Sequence, residues 1–162
     1  MDTDQIARST IRTVRFHEYG EPAAVLRLEE APVPLPGANR IRVVVHACGL
    51  NPADWALCRK LYEMELPRGI GIDVSGTVDA VGEGVTEIAV GDQVLGFADF
   101  ANYPSAGASD VAVLDHWAKV PAGLDMKLAA ALPMAASSGS ITRRASIPGS
   151  DRGAVRRGSL EA

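Results

Sequence analysis

Between Gly71 and Val94 the chain reads G-I-D-V-S-G-T-V-D-A-V-G-E-G-V-T-E-I-A-V-G-D-Q-V. Val74, Gly76, Val78 and Ala80 alternate with Asp73, Ser75, Thr77 and Asp79, the period of a strand with one buried face. Gly82-Glu83-Gly84 then supplies residues that tolerate positive φ, so the chain turns there. Gly91-Asp92 makes a second tight turn into another short apolar strand, Gln93-Val94-Leu95-Gly96-Phe97. Glycines at 71, 76, 82, 84, 91 and 96 punctuate strands too short for a long flat sheet. The pattern predicts a small, strongly curved β-barrel.

The rest of the chain adds strands and a few short helices. Residues 11–16 read as a strand, 17–22 as a turn and 24–28 as a second strand. Pro32, Pro34, Pro36 and Gly37 forbid regular pairing and predict a stiff connector. R-I-R-V-V-V-H-A, over residues 40–47, is the strongest strand, with its β-branched run packed on both sides of its middle. Asn51 is a helix cap, with Pro52 at the first position and residues 53–60 as the helix. Residues 61–70 and 97–109 read as loops, 110–114 as a returning strand, and 117–120 as a short extended piece before Pro121. Asp125 is an N-cap for a helix over 126–132, which Pro133 ends or bends.

Composition narrows the class. The 162 residues are 47% hydrophobic and 22% charged, ordinary for one soluble globular domain. There is no apolar run long enough for a membrane span. The opening M-D-T-D-Q-I-A-R-S-T lacks the apolar centre of a secretory signal and reads, over 1–12, as a flexible extension. Cys48 and Cys58 are too few for a disulfide framework or a four-cysteine zinc lobe, and fit small buried thiols in a reducing cytoplasm. Residues 1–136 carry 11 Lys/Arg against 18 Asp/Glu, which offers no basic patch for nucleic acid.

Five words occur in a fixed order: V-R-F-H-E-Y-G from Val14, V-L-R-L-E-E-A-P-V-P from Val25, H-A-C-G-L-N-P-A-D-W from His46, the glycine-punctuated stretch above, and L-A-A-A-L-P-M-A-A from Leu128. Together they resemble the medium-chain dehydrogenase/reductase superfamily, and within it the zinc-independent quinone oxidoreductase branch. The resemblance covers roughly Thr13 to Ala136. It implies a mainly β (α+β) fold, a GroES-like partly open β-barrel with short helices over 13–136. In that family a Rossmann domain holding NADP(H) follows, and the activity is reduction of quinones or conjugated enones by hydride transfer.

The resemblance also orders the candidate site. In the zinc branch the first metal ligand is a Cys at the place of Asn51, and the second is a His at the place of Ile72. An amide is a poor zinc ligand and isoleucine is none. Asp73 stands where that branch has Glu, and His17, His46 and His116 are scattered, so no zinc is expected. Asn51 faces the nicotinamide end of the cleft by resemblance, where its amide would orient a carboxamide or hydrogen-bond a substrate carbonyl. Read from its own neighbours it equally caps the following helix. Asp54, the second catalytic candidate, is also the kind of acid a helix start favours. Trp55 reads as core. Ile72 and Asp73 lie at the cleft floor by resemblance, and Tyr62, in the loop after the helix, reads either as a lining residue of the cleft or as a surface aromatic, while Arg68 and Gly69 replace apolar residues of the family.

After Ala136 the pattern stops. Residues 137–162 carry five Arg against two acids, with no aromatic residue and no sustained apolar period. They read as a disordered tail outside the family pattern, as a truncated or shifted reading frame would produce. No G-x-G-x-x-G or related phosphate-binding turn occurs there, so the Rossmann phosphate site is absent and the chain is expected to be inactive alone. R-R-A-S-I and R-R-G-S-L resemble basophilic kinase sites at Ser146 and Ser159. The rival reading is a non-catalytic barrel that binds a partner or another copy of itself through the face left exposed.

Overall fold

The structure, a computed structural model, describes residues 9–137. The expected tail, with Ser146 and Ser159, and residues 1–8 of the expected extension lie outside the described residues. Strand β1 (Thr10–Phe16) begins within the stretch read as that extension. It pairs antiparallel with β2 (Leu26–Pro32) on one side and with β4 (Arg68–Gly69) on the other. This is a three-stranded sheet in the order β2-β1-β4. A separate ring contains β3 (Ile41–Gly49), β5 (Asp73–Val81), β6 (Gln93–Ala98) and β7 (Val111–Lys119). The fold is mainly β with antiparallel sheets and short helices, as expected. The ring is closed rather than partly open, because β3 pairs with β5 and β7, and β6 in turn pairs with both of those strands.

Inside the ring, Ile41, Val43, Val74, Val78, Val94 and Leu114 form a buried core. Val44 points the other way, against Ile11, Ala31 and Val111, so the middle of β3 is packed on both faces as its β-branched run predicts. β5 departs from the one-sided expectation. Its polar positions Asp73, Ser75 and Thr77 are buried as well as its apolar ones. The alternation is real, but helices cover the outer face: Ser75 Oγ donates to the Met126 carbonyl at 2.6 Å, and Asp73 Oδ1 accepts the Met134 N–H at 3.1 Å.

Several boundaries move for local reasons. The second strand begins at Leu26 because Pro22 starts a single helical turn, α1 (Pro22–Val25). β2 runs on through Pro32, whose missing N–H costs nothing at the end of an edge strand. The returning strand and the short extended piece are one strand, β7. Asp125 caps α3 (Met126–Ala129), accepting from Lys127 and Leu128 N–H. Pro133 opens a further short helix, α4 (Pro133–Ser137), rather than ending the first. The proline connector is pinned by side chains: Arg42 grips Asp79 through two nitrogens and donates to the Pro34 carbonyl, and the Tyr103 hydroxyl bridges the Leu35 carbonyl and the Gly37 N–H.

Candidate functional site

Helix α2 (Pro52–Cys58) starts where β3 leaves the ring, and its first turn builds the site. Asn51 Oδ1 accepts the Ala53 N–H at 3.0 Å, and Asp54 Oδ2 accepts the Asn51 N–H at 2.9 Å. These reciprocal bonds satisfy donors that a helix start otherwise leaves orphaned. Asp54 is 1% exposed, and its other oxygen takes the backbone N–H groups of Gly71 at 2.6 Å and Ile72 at 3.3 Å. Its carboxyl is therefore a staple between α2 and the strand approach, saturated by backbone donors.

Gly71 makes that staple possible. Its φ is +92°, which favours glycine, and a Cβ there would overlap Cys48 Sγ and Ala108 N. Burial, with the Asp54 and Asp73 carboxyls nearby, pushes the Cys48 thiol up to about 12. Cys48 is therefore a neutral, inert wall of the site. Neither Gly71 nor Cys48 was singled out as a site residue from sequence; the only signal was the glycine spacing.

Asp73 is 4% exposed and lies against the same wall. Burial raises its pKa, the Met134 N–H opposes that, Asp54 raises it further, and the Asn51 amide lowers it. Asn51 Nδ2 is buried and, although its amide interacts with Asp73, it meets no acceptor in ordinary hydrogen-bond geometry. The structure thus brings Asn51, Asp54 and Asp73 together. It does not bring Ile72 or Tyr62 into the same polar group. Ile72 is buried beside Phe16, Leu57 and Ile70, and Tyr62 is 53% exposed in the loop after α2. Trp55 is half exposed rather than core, because the buried face of α2 carries Asp54, Leu57 and Cys58.

Among the described residues, no three His, Cys, Asp or Glu side chains gather as a metal site would require. His17 bonds Glu29, His46 bonds Thr77 and His116 pairs with Asp115, each in a different place. No helix among the described residues is long and apolar enough to cross a membrane. A groove of about 600 Å³ opens elsewhere, lined by residues 84–88 and 115–119 with Asn39. None of the site residues lines it.

The alcohol dehydrogenase GroES-like domain family matches residues 37–130. A quinone oxidoreductase from Sus scrofa is 34% identical over 138 residues, covering 82% of this chain and 39% of that protein. The quinone oxidoreductase structure from Coxiella burnetii superposes with a TM-score of 0.70 at 29% identity, over 78% of this chain and 42% of that one. The Escherichia coli quinone oxidoreductase, solved as a complex with NADPH, gives a TM-score of 0.62 at 31% identity, over 74% and 36%. The chain spans about two fifths of the length of these relatives.

Proposed function

The chain belongs to the family of alcohol dehydrogenase GroES-like domains, among the quinone oxidoreductases of the medium-chain dehydrogenase/reductase superfamily, and we propose that it forms the substrate-facing half of a zinc-independent, NADPH-dependent reductase of quinones or conjugated enones. The observation that carries this reading is Asn51. Its Oδ1 is committed to the helix, which leaves Nδ2 as a buried donor without a well-placed acceptor. A carbonyl oxygen, of a substrate or of a nicotinamide carboxamide, has the chemistry to satisfy it.

The described residues fit only that end of a dinucleotide. They contain no glycine-rich turn between a strand and a helix, so they offer nothing for a pyrophosphate. When bound, NADPH supplies the hydride. The residues of this chain orient and shield: Asn51 presents the donor, Asp54 fixes the backbone on which Asn51 and Gly71 sit, and Cys48, Leu57 and Ile72 keep water from the floor. Asp54 is on this reading a positioning residue. Absence of zinc is supported by the donor set, since Asn51 is spent on a cap and Ile72 on the core. A cytoplasmic setting is supported by two free thiols.

Titration of the purified chain with NADPH, followed by nicotinamide fluorescence, tests the proposal. A saturable change that N51S weakens, in the range of about 1 mM expected without a phosphate site, supports it. A flat trace favours a second reading, a non-catalytic binding module. That reading draws on Leu50, Leu128 and Leu132, all exposed on segments that meet where the Ala130 carbonyl packs on Gly49. Such a face suits a partner domain or a second copy.

A further inference from the structure

We propose that the uncovered edge of β7 is a docking site for a basic extended peptide, which lies as an added strand in the groove beside residues 84–88. The inference is independent of the buried group around Asn51 and of any nucleotide.

β7 has nine residues, and its two edges are covered unequally. β3 pairs only with Val111–Leu114, whereas β6 pairs as far as Lys119. The chain joins the line of β3 only at Ile41, after a turn at Asn39, whose φ is +57°. Beyond Leu114 one edge of β7 therefore has no neighbouring strand. The register says which backbone groups lie on that edge. Val120 N–H donates to the carbonyl of Gln93, its opposite in the β6–β7 register, at 2.9 Å. Antiparallel pairs alternate between exchanging bonds and facing away. Ala118 consequently bonds with Leu95, while Trp117 and Lys119 turn their N–H and C=O groups away from β6. Among the described residues no other backbone group bonds them.

The groove of about 600 Å³ opens along this edge, with Asp115, Trp117 and Lys119 on one side and residues 84–88 on the other. Ile88 belongs to the ring core, and Val85 and Trp117 pack against it, so part of the lining is apolar. Two sets of backbone groups, two residues or ~6.8 Å apart along a strand, match a second strand better than a compact ligand. The wall at 84–88 favours a lone peptide over a second copy, whose β7 would bring β6 in with it. Charge sets the character of the peptide. Lys119 is already met by Asp92 at 2.9 Å, and Asp115 pairs with the adjacent His116 at 3.0 Å. Glu87 forms no ion pair among the described residues, which leaves the lining with excess negative charge. Arginine or lysine alternating with aliphatic residues suits both the carboxylates and the apolar strip.

Amide hydrogen exchange on the intact chain, with the end-blocked synthetic peptide I-R-V-R-I as the probe, tests this. With the peptide at about ten times its Kd, exchange at the Trp117 and Lys119 N–H groups should slow about tenfold. The Ala118 N–H, already bonded to β6, should not change. Proline at the centre of the peptide removes an N–H and should weaken binding about tenfold. I-E-V-E-I should bind about tenfold more weakly, and E87Q combined with D115N should weaken I-R-V-R-I about fivefold. The proposal is overturned if Trp117 and Lys119 do not slow, if Ala118 slows as much as they do, or if either control peptide binds as well as the probe. Slow exchange at Trp117 and Lys119 before any peptide is added also overturns it, since this chain or a second copy then holds the edge. The exchange measurement needs no variant, so it decides alone should a variant unfold.

Discussion

Asp54 Oδ1 lies 2.6 Å from the backbone nitrogen of Gly71, seventeen residues further along the chain. One carboxyl thereby joins the helix start to the strand approach and accepts the backbone N–H groups of Asn51, Gly71 and Ile72. D54A should strand three backbone N–H groups. At about 1–3 kcal/mol for each buried unsatisfied group, a loss of at least about 3 kcal/mol is expected. D54N keeps one acceptor and should lose less. Urea unfolding with an unchanged slope measures both.

Capping and ligand contact separate at Asn51. N51A should cost about 1 kcal/mol, the usual value of a lost N-cap. N51S keeps a capping oxygen and should stay within about 0.5 kcal/mol of wild type, yet it has no Nδ2. Calorimetry beside the NADPH titration distinguishes the roles. Equal losses of stability and of binding in N51S would mean that Asn51 is only a cap.

G71A should be among the most damaging single changes, at about 3 kcal/mol or more, because strain at positive φ and overlap add together. C48A removes the sulfur that the new methyl group meets, but leaves Ala108 N and the dihedral in place. A double-mutant cycle should therefore show partial rescue, on the order of 1 kcal/mol of coupling. Strict additivity would show that the sulfur contact contributes nothing.

Stability against pH should carry opposing signs from different carboxyls. Asp73 is raised in the folded state, so the native form holds its proton more tightly and stability gained from Asp73 increases as pH falls through its folded value. Asp92 is lowered by the Ala89 N–H and by Lys119, so its contribution is lost as pH falls through its own folded value. The stability of wild type relative to D73N should thus rise on going from neutral to mildly acidic solution. Denaturation curves of both proteins at two pH values read the difference directly.

The ring and its turns were legible in the sequence because glycine spacing and period-2 alternation are local signals. The Asn51 cap was legible for the same reason, since N-P-A-D writes the helix start within four residues. What was not legible depends on chain segments far apart. Nothing local in D-V-S-G-T shows that helices from residues 126–134 bury its polar face. Nothing in L-N-P-A-D shows that Asp54 reaches Gly71. Trp55 looked like core because aromatics usually are, but the turn geometry of α2 gives the inner face to Asp54, Leu57 and Cys58. Nothing local shows that Ile72, just before β5, packs in the apolar cluster with Phe16, Leu57 and Ile70.

The fastening of residues 126–134 to the ring at Ser75, Gly49 and Asp73 has a mechanical side. Contacts recur at Met126, Ala130 and Met134, so a load drawn through residue 137 meets them one at a time, Met134 first. Peeling should proceed in ordered steps, and the first step bares the carboxyl beside Asn51 while the barrel stays whole.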